Sequence, residues 1–341
     1  MASTSTLPEE HVTLDLIARE AGVSPSTVSR ILNGTAKVSD DKRQAVEDTI
    51  TRFNFQPNLM ARSLAMGQTY TIGVLTQFIE SPFYGEALRG IEDALTGTPY
   101  SPLFVSGHWN LKKEEARMRL LQARRVDGVI ILTGRLSDQQ LLKYAQRLPI
   151  VVTGRNLSAP KLASVSVDDF SGAREATHHL LELGHTRIAF ISGPDDHPDA
   201  IERLRGYQTA LQEAGAEMVP ELIMRADFME SGGMLAMNQL LESRQNFTAV
   251  FAANDQMAYG ARLALYRRNI RVPEDISLVG FDDLPNSTYS MPPLTTVRQP
   301  VYDIGRMAAR AMLTLIDGEA ADIAAPPLEL VVRESTRRVR R

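Results

Sequence analysis

Hydroxyl, amide and guanidinium side chains are concentrated at 24–33, and such groups can form hydrogen bonds with the base edges and phosphates of DNA. Arg30 is the strongest base reader among them, because its fork can donate two bonds to O6 and N7 of one guanine. The other groups predicted to face outward are Ser26, Thr27, Ser29 and Asn33. The simplest alternative is an ordinary helical hairpin whose polar face meets only solvent.

The surrounding stretch, 12–34, has the pattern of two short helices joined by a turn at Ala21-Gly22. Thr13 and Ser24 can each cap a helix, because a hydroxyl there accepts a hydrogen bond from an otherwise unpaired backbone N–H. Pro25 suits the first position of the second helix, since its φ is helical and it has no N–H. The apolar residues that recur at helical spacing and face inward are Leu14, Ile17, Ala18, Val28, Ile31 and Leu32. The stretch therefore predicts a helix-turn-helix that can enter a major groove.

A third amphipathic helix is predicted from Val38-Ser39 to about Phe53, and the phrase PNLMARSLAMG follows at 57–67. With this phrase and AGVSPSTVSRILNG before it, the chain resembles the LacI/GalR family of bacterial transcription regulators, and the resemblance continues to about residue 335. The resemblance implies an α/β fold class: an N-terminal all-α helix-turn-helix headpiece plus a two-lobed periplasmic-binding-protein-like core of parallel sheets.

In that family the segment after the third helix is a hinge helix, which folds only in the dimer on DNA. By motif position, the resemblance makes Leu64 the side chain that wedges into the minor groove at the operator centre. The cost of unstacking a base step is recovered through contacts that the bent duplex permits. Asn58, Ala61 and Arg62 would line the same groove. The alternative for Leu64 is a linker leucine docked on its own core.

Three departures from the family pattern bear on DNA specificity. Pro25 offers the bases no hydrogen-bonding group and Ser26 only a hydroxyl, so we expect weak or shape-based discrimination there. Phe55 replaces the tyrosine common before the hinge, and Lys37 can compensate for the lost hydroxyl unless it is a solvated loop charge. The full set predicted to contact DNA is Thr13, Leu14, Ser24, Pro25, Ser26, Thr27, Ser29, Arg30, Asn33, Lys37, Asn58, Ala61, Arg62 and Leu64.

The chain lacks the net positive charge that is often used to recognise nucleic-acid-binding proteins. The formal net charge is −4 at pH 7, and residues 1–66 contain seven Lys and Arg against eight Asp and Glu. DNA binding must then depend on placement, helix N-termini and dimeric pairing. Phosphate contacts should still make the affinity fall with salt, because they displace counterions.

The 341 residues include no cysteine, which excludes disulfides and cysteine-ligated metal sites. The N-terminus lacks a signal sequence and no run of about eighteen apolar residues is present, so neither export nor a membrane role is expected. A bacterial cytoplasmic protein, associated with the nucleoid when bound to DNA, is the expected setting. The nucleophile-elbow, P-loop, zinc-protease and dinucleotide-binding motifs are missing, so we predict no enzymatic activity, no cofactor and no metal.

From Thr71 onward, short apolar runs alternate with amphipathic helical stretches, a pattern that predicts parallel strands with crossover helices. The first series contains TIGVLT, PLFVS, DGVIIL and PIVVT, with helices at 86–95, 112–124 and 138–147. The second begins at Asp168 and contains RIAFISG, ELIMR, TAVFAAN and ISLVGFDD, with helices at 171–183, 201–214, 231–242 and 256–268. The pattern predicts two α/β lobes, whose ligands bind beyond the carboxyl ends of the strands.

The polar side chains that follow these strands have the right chemistry for a ligand with many hydroxyl groups. They are Gln77, His108, Trp109, Arg155, Asn254, Asp255, Asp282 and Asp283. A site built to bond a hydroxyl penalises an analogue that lacks it, because buried polar groups are then left unpaired. Phe228 and Trp109 are the candidate aromatic faces for the C–H side of a sugar ring. The alternatives are a core role for Trp109 and a structural cap for Asp283.

The resemblance sharpens this prediction. In RLRGY, Arg203 occupies the position of the arginine that holds the effector in the family, one helical turn after Asp199. Asn254 and Asp282 match the family motifs ANDxxAxG and GFDD, and Phe228 matches its stacking aromatic. The family's NPFF is replaced by SPFY, whose aromatic residues would wall the N-lobe side of the cleft. The predicted effector site comprises Gln77, Phe83, Tyr84, His108, Trp109, Arg155, Asp199, Arg203, Phe228, Asn254 and Asp282.

The predicted organisation comprises a disordered extension at 1–11, the headpiece at 12–56, a hinge helix and linker at 57–67, the core at 70–333 and a basic tail at 334–341. Within the core, the N-lobe is predicted at about 70–166 plus 299–325 and the C-lobe at about 168–297 plus 328–335. The tail is expected to be disordered because it is short, charged and polar.

These features predict a sequence-specific DNA-binding regulator: a repressor of carbohydrate-utilisation genes in which a sugar-like effector between the lobes controls operator binding. Its expected partners are pseudo-palindromic operator DNA, the effector and a second copy of the chain. A dimer is favoured because no leucine heptad follows the last strand. The alternative is a sugar-binding or sugar-processing protein with an incidental N-terminal hairpin. The sequence leaves open the effector's identity, its sign as inducer or corepressor, the operator and the regulated genes.

Overall fold

The structure is a computed structural model that describes residues 12–32, 36–55 and 67–339. The chain divides into two compact units, Met1–Thr69 and Tyr70–Arg341. Five residues predicted to contact DNA lie outside the described residues: Asn33, Asn58, Ala61, Arg62 and Leu64.

The first unit contains the predicted helix-turn-helix. Its helices are α1 (Leu14–Glu20), α2 (Pro25–Leu32) and α3 (Asp40–Arg52). Gly22 has φ +66° in the turn between α1 and α2, a backbone conformation that side chains with a Cβ rarely adopt. The small core of this unit consists of Ile17, Ala18, Val28, Ile31 and Val46. Apolar residues at helical spacing thus hold the three helices together, as the pattern predicted.

The second unit begins with an N-lobe built on a five-stranded parallel sheet. Its strands are β1 (Thr71–Thr76), β2 (Ser101–Ser106), β3 (Gly128–Ile131), β4 (Ile150–Thr153) and β5 (Leu162–Val165). The strand order is β2-β1-β3-β4-β5. The helices between them are α4 (Pro82–Leu95), α5 (Leu111–Ala123) and α6 (Asp138–Ala145).

The C-lobe repeats this plan on a six-stranded sheet. Its strands are β6 (Ile188–Ser192), β7 (Ile223–Arg225), β8 (Ala249–Ala252), β9 (Ser277–Asp282), β10 (Thr295–Arg298) and β11 (Glu329–Val331). The order is β11-β10-β9-β8-β6-β7, and β11 alone in this sheet is antiparallel to its neighbour. The helices are α7 (Asp169–Glu182), α8 (Pro198–Glu213), α9 (Glu230–Glu242), α10 (Asp255–Arg267) and α11 (Pro285–Tyr289), and a 3-10 turn spans Pro220–Leu222.

The last long helix, α12 (Val301–Ile316), returns to the N-lobe and packs against α4. The two helices are very close: a Cβ on Gly90 would lie 2.1 Å from the carbonyl oxygen of Tyr302, and one on Gly305 would lie 2.2 Å from that of Ala87. Only glycine permits this approach. The described chain passes between the lobes three times, after β5, after β10 and after α12.

Three helices begin earlier than their apolar pattern predicted. α4, α7 and α8 start at Pro82, Asp169 and Pro198, whereas the predicted starts were 86, 171 and 201. Proline and aspartate are favoured in a first turn, but they add nothing to an apolar periodicity. The first turns of these three helices are the parts that reach the cleft.

The expectation of a disordered tail is wrong for 334–339, which packs on the C-lobe. Ser335 is 1% exposed, and its hydroxyl accepts a hydrogen bond from Thr295 N (2.8 Å) and donates one to the carbonyl of Leu278 (2.5 Å). His185 Nε2 donates to the carbonyl of Arg337 at 2.9 Å. The polar composition misled the prediction because this segment is held by hydrogen bonds and not by an apolar face.

Candidate functional site

The second helix of the headpiece unit presents its N-terminal end to solvent. Ser24 Oγ accepts a hydrogen bond from Thr27 N at 3.2 Å, and the same hydroxyl bonds to those of Ser26 and Thr27 at 2.9 Å each. Thr13 caps α1 by accepting from Leu16 N at 3.2 Å. Both predicted caps therefore form, and the network of Ser24 fixes the side chains at the start of α2.

The predicted DNA-contacting residues that the structure describes differ in exposure. Ser24, Pro25, Ser26, Arg30 and Lys37 are exposed, as is Thr13, whereas Thr27 and Ser29 are half-buried. Leu14 packs against the headpiece core, so its position is that of a scaffold residue. Exposed hydroxyl and guanidinium groups along this short helix can contact bases and phosphates.

A cavity of about 250 Å³ lies between the two lobes of the second unit. Eight of the predicted effector residues line it: Phe83, Tyr84, Trp109, Asp199, Arg203, Phe228, Asn254 and Asp282. They follow strands or begin helices of both lobes, as expected for a ligand site at the carboxyl ends of parallel strands.

Arg203, on α8, is the central charged group of this cavity, and its side chain is only 3% exposed. Its Nε donates to Asp169 Oδ1 at 2.7 Å, and its Nη1 donates to the carbonyl of Ala253 at 2.6 Å. Asp282 Oδ1 lies 3.6 Å from the same Nη1 and accepts a hydrogen bond from Gln299 at 2.7 Å. A buried guanidinium thus joins α7, the end of β8 and the end of β9.

The carboxyl groups around Arg203 hold protons more tightly than free aspartates. Burial raises the pKa of Asp169 to about 7, although the positive charge of Arg203 acts in the opposite direction. Burial likewise raises the pKa of Asp199 and, more strongly, that of Asp282. His197 is the opposite case, because burial lowers its pKa to about 3 and leaves the imidazole neutral at pH 7.

One wall of the cavity is aromatic. The rings of Trp109 and His197 are stacked, with centroids 4.1 Å apart and an angle of 13° between their planes. Phe228 meets His197 edge to face at 5.0 Å. Such rings can cover the apolar face of a sugar. Trp109 Nε1 is buried and has no hydrogen-bond partner among the described residues, which leaves a donor unsatisfied in this wall.

Backbone strain is concentrated at the same cavity. Trp109, Phe228 and Asp282 have φ of 50°, 67° and 118°, although none of them is glycine. Such conformations persist only where the surroundings impose them, and they cluster at functional sites. Their presence at three cavity residues supports a functional role for this region.

Contacts across the cleft connect the lobes directly. Ser81 Oγ donates to Gln256 Oε1 at 3.0 Å, and Arg135 pairs with Asp196 at 2.5 Å. The stack of Trp109 on His197 also joins an N-lobe loop to a C-lobe loop. The cleft is therefore closed in this structure.

Asn254 lines the cavity, but both ends of its amide are used by the protein. Its Oδ1 accepts from Met257 N at 2.9 Å and so caps α10, while its Nδ2 donates to the carbonyl of Phe228 at 3.0 Å. The side chain therefore holds the strained Phe228 backbone in place.

Three predicted effector residues do not line the cavity. Gln77 is fully buried, and its amide is bonded to the carbonyl of Thr133 and the backbone N–H of Trp109, both at 2.7 Å. His108 is exposed beside Phe78. Arg155 pairs with Asp138 at 2.6 Å and lines a neighbouring cavity instead. Gln77 thus holds the backbone of Trp109 without lining the cavity. Its place directly after a strand could not show whether it supports the site or contacts the ligand.

The sequence reasoning missed seven residues that line the cavity: Phe78, Ser81, Pro194, His197, Asp227, Met229 and Gln256. It also missed Asp169, the buried partner of Arg203. His197 is two positions before Asp199, and Asp169 and Gln256 directly follow Asp168 and Asp255. All three lie at the N-terminal end of a helix, and this location is the signal that could have found them.

Asp283, for which a structural role was the alternative, pairs with Arg298 at 2.8 Å and Arg333 at 2.6 Å. It fixes β10 and the segment after β11 and does not line the cavity. Among the described residues, no group of three or more potential metal ligands is found, and no helix is long and apolar enough to span a membrane.

Comparison with known proteins places both units in recognised families. Residues 13–58 match the family described as "Bacterial regulatory proteins, lacI family", and residues 177–336 match the "Periplasmic binding protein-like domain". Catabolite control protein A of Priestia megaterium is 34% identical over 331 residues, which cover 96% of this chain and 100% of that protein.

Two solved structures are similar over nearly the whole chain. The Lac repressor dimer bound to operator and the anti-inducer ONPF is 30% identical, with a TM-score of 0.86 over 96% of this chain and 100% of that one. The complex of the transcriptional regulator CelR with cellobiose is 35% identical, with a TM-score of 0.70 over 95% of this chain and 99% of that one.

Proposed function

This chain belongs to the LacI family of bacterial regulatory proteins, and we propose that it is a repressor of carbohydrate-utilisation genes whose operator binding is controlled by a small sugar-like effector. A DNA-binding transcriptional regulator follows from the family. The gene class, the effector and the residues that bind it are the proposal. We propose that the cleft binds a ligand and has no catalytic role.

The observation that carries the effector proposal is the position of Arg203, buried among three aspartates at a cavity with an aromatic wall. Carboxylate groups accept hydrogen bonds from hydroxyls, and aromatic rings cover the C–H face of a pyranose. A related regulator binds the sugar cellobiose, which supports the same ligand class here. Trp109, Asp199, Phe228 and Asp282 are the proposed contacts.

The DNA side of the proposal rests on the polar side chains of α2. Arg30, in the last turn of α2, is the proposed base reader, and Ser26 and Thr27 in the first turn are further proposed contacts. Leu64, outside the described residues, remains the proposed minor-groove wedge. A related repressor binds its operator as a dimer, which supports a pseudo-palindromic operator read by two headpieces.

We propose that the dimer forms through the exposed side of α9 and α10 in the C-lobe. On α10, Tyr266 is 77% exposed and Leu263 is exposed as well. Leu235 is exposed on α9, and Tyr289 and Met291, at the end of α11 and just after it, are 82% and 85% exposed. Arg262 donates to the carbonyl of Met291, which connects α10 with the segment after α11. Large exposed apolar side chains of this kind are typical of a surface that is covered in the assembly.

Control of DNA binding would follow from the coupling of these parts. Two headpieces must engage both half-sites of one operator, so an effector that changes the arrangement of lobes in the dimer changes the operator affinity. Such coupling is reciprocal and typically amounts to about 1–3 kcal/mol. The proposed setting is the bacterial cytoplasm, where operator DNA is accessible.

Selection of bound DNA from a random pool, with purified protein and with or without a mixture of sugars, tests the proposal. We expect a pseudo-palindrome to be enriched, and its enrichment to fall when the sugars are present. Enrichment only in the presence of the mixture would instead make the effector a corepressor. A pool without any enriched sequence under both conditions would contradict the DNA-binding role.

A further inference from the structure

A further cavity, the N-lobe cavity, lies at the surface between α5 and α6. Its volume is about 280 Å³. It is lined by Gln122 of α5, by Gln140, Lys143 and Tyr144 of α6, and by Arg147 just after α6. None of these five residues lines the inter-lobe cavity. The two cavities are therefore separate places for a ligand.

Four of the five lining side chains provide hydrogen-bond donors that have no protein acceptor. Within the described ranges, the side chains of Gln122, Lys143, Tyr144 and Arg147 form no hydrogen bond and no ion pair. Ammonium and guanidinium groups only donate, whereas an amide and a phenol can donate as well as accept. Two positive charges and two neutral donors thus meet at one cavity.

The fifth lining residue, Gln140, is held by its neighbours. Its Oε1 accepts hydrogen bonds from the backbone N–H and the hydroxyl of Ser137 at 2.9 and 3.2 Å, and its Nε2 donates to Glu115 Oε1 at 2.7 Å. Glu115 also pairs with Arg119, at 4.0 Å. This carboxylate is therefore already bonded, and it leaves the charges of Lys143 and Arg147 uncompensated.

The phenol of Tyr144 is a donor at neutral pH. Burial, followed by the negative charge of Glu115, raises the pKa of Tyr144, so the hydroxyl keeps its proton. Its ring packs against the apolar core of the N-lobe, which fixes the position of the hydroxyl. The cavity thus combines a rigid donor with longer cationic side chains.

The segment that builds the N-lobe cavity is basic, although the chain as a whole is acidic. Residues 111–147 contain nine Lys and Arg against four Asp and Glu, whereas the whole chain contains 37 against 41. One of the four acids, Glu114, is fully buried and accepts hydrogen bonds from the backbone N–H groups of Arg135 and Leu136. An excess of positive charge around a cavity raises the local concentration of anions.

Helix stabilisation accounts for only part of this arrangement. Lys143 lies in the last turn of α6 and Arg147 just after it, where cations complement the helix dipole. That effect does not involve the phenol of Tyr144 or the amide of Gln122, which open into the same cavity. A ligand that carries negative charge and several acceptor oxygens would use all four groups.

We propose that the N-lobe cavity binds a small oxyanion with several acceptor oxygens, either a phosphate-bearing or a polycarboxylate molecule. Lys143 and Arg147 compensate its charge, and Tyr144 and Gln122 donate to its oxygens. The volume is slightly below the range of about 300–1,000 Å³ that is usual for ligand pockets, which favours a small anion. This site is independent of the proposed sugar effector, because it lies outside the inter-lobe cavity.

Calorimetric titration and thermal unfolding of the full chain at constant ionic strength test the proposal. The probes are inorganic phosphate, pyrophosphate and citrate, and chloride is the reference salt. An anion that binds the folded state raises the midpoint of unfolding (Tm). We expect at least one probe to bind at a single site with a Kd of about 1 mM or lower. Tighter binding of pyrophosphate identifies a phosphate-bearing ligand, and tighter binding of citrate identifies a polycarboxylate.

Two substitutions show whether the N-lobe cavity is the site. Neither Arg147 nor Tyr144 has a side-chain hydrogen bond to lose within the described part of the chain, so both variants should fold normally. Arg147→Ala should weaken probe binding by at least about tenfold, and Tyr144→Phe by about three- to tenfold, because each removes one donor. Arg310→Ala is the matched control, since it removes the same charge from an exposed position of α12 that does not line the cavity. It should change the Kd by less than about twofold.

Three results would overturn this assignment. If no probe binds, the N-lobe cavity is not an anion site. If a probe binds equally well to all three variants, it occupies another part of the molecule. If Arg147→Ala weakens operator binding and leaves probe binding unchanged, the cations contact DNA instead. A sugar-controlled regulator would stand in each case, because its own test is the selection of bound DNA with and without sugars.

Discussion

At the scale of single residues, Arg203 does two things that depend on burial. It neutralises carboxyl groups that would otherwise repel one another, and it fixes three chain segments at the floor of the cavity. Breaking a buried ion pair by removing one partner is much more costly than breaking an exposed pair, because the remaining charge has no water to solvate it. Stability and ligand binding are therefore linked at this position.

Replacement of Arg203 separates these effects. Arg203→Ala should lower the free energy of unfolding by about 3–5 kcal/mol, because Asp169 and Asp282 lose their cation. Arg203→Lys should recover part of this stability but not the effector response, since an ammonium group cannot bond Asp169 and the carbonyl of Ala253 in the same plane. Urea unfolding and sugar-dependent release of operator DNA measure the two effects.

Arg205→Ala is the matched control on the same helix. Arg205 is exposed and pairs with Glu202, so its replacement should change stability by less than about 1 kcal/mol. Equal losses in Arg205→Ala and Arg203→Ala would contradict the central role of the buried pair.

Asp169 gives the stability a predictable dependence on pH. Its pKa is about 7 in the folded protein against 3.8 ordinarily, so between about pH 4 and pH 7 the folded state binds a proton that the unfolded chain has released. The contribution of this group to stability is therefore greatest at low pH and decreases as the pH rises toward 7. In Asp169→Asn this contribution is absent.

We therefore expect the unfolding free energy of the unmodified protein, relative to that of Asp169→Asn, to increase when the pH is lowered from 7.5 to 5.5. Urea unfolding at several pH values checks the sign. Parallel pH profiles for the two proteins would show that the carboxyl group does not titrate in this range.

At the scale of elements, the ends of helices carry both proposed activities. The start of α2 bears the proposed DNA contacts Ser26 and Thr27, and the starts of α8 and α10 lie at the cavity. A helix end leaves backbone N–H groups unpaired, and caps such as Ser24 and Asn254 satisfy them while leaving neighbouring side chains free to point outward. The caps thus determine the geometry of the sites.

The caps at Ser24 and Ser39 provide a direct comparison. Ser24 Oγ accepts a hydrogen bond from Thr27 N, whereas the Ser39 side chain makes no capping bond at the start of α3. Ser24→Ala should destabilise the headpiece by about 1 kcal/mol and weaken operator binding, and Ser39→Ala should cost less. Thermal unfolding of the headpiece transition and operator titration measure both. A larger loss in Ser39→Ala would contradict the assigned capping.

The stack of Trp109 on His197 reports on the closure of the cleft. Trp109 is the only tryptophan of the chain, so its fluorescence comes from one site. Arg135→Ala removes the ion pair with Asp196 across the cleft, and it should shift the emission to longer wavelength, because the lobes part more often and water reaches the indole. A saturating effector should reverse the shift.

Arg225→Ala is the control for this measurement, since the pair of Arg225 with Asp195 also has a separation of 2.5 Å but lies within the C-lobe. It should leave the emission unchanged. Both pairs are exposed, so each contributes at most about 1 kcal/mol, and the expected change is a partial shift of population. Equal shifts in both variants would mean that the emission does not follow cleft closure.

At the scale of the whole molecule, the exposed side chains of α9 and α10 form the proposed dimer interface. Tyr266→Glu should convert the dimer to a monomer at micromolar concentration, because a carboxylate cannot be buried in an apolar interface without a partner. Analytical ultracentrifugation measures the state. Met218→Glu, at a residue that is 49% exposed and outside this surface, should remain dimeric. A dimeric Tyr266→Glu protein would place the interface elsewhere.

The sequence predicted the parts of this molecule that have a local signal. The helix-turn-helix has caps and apolar spacing, and Arg203 and Asp282 stand in recognisable motifs, so all were found without coordinates. His197 was missed because its significance comes from Trp109, 88 positions earlier in the chain, which only the closed cleft brings against it. The packed tail was missed for a related reason, since its hydrogen bonds are made to β9 and β10 and have no periodic pattern.

The three crossings between the lobes have a consequence for synthesis on the ribosome. The N-lobe needs α12 to cover α4, and the C-lobe needs β10, β11 and the packed tail to complete its sheet. All of these elements come from the last fifty residues of the chain. The headpiece can fold as soon as it emerges, but neither lobe can finish before translation is nearly complete. A chain cut short by premature termination would keep the helix-turn-helix and lack both the effector cleft and a finished core, so it could neither sense a ligand nor pair two headpieces on an operator.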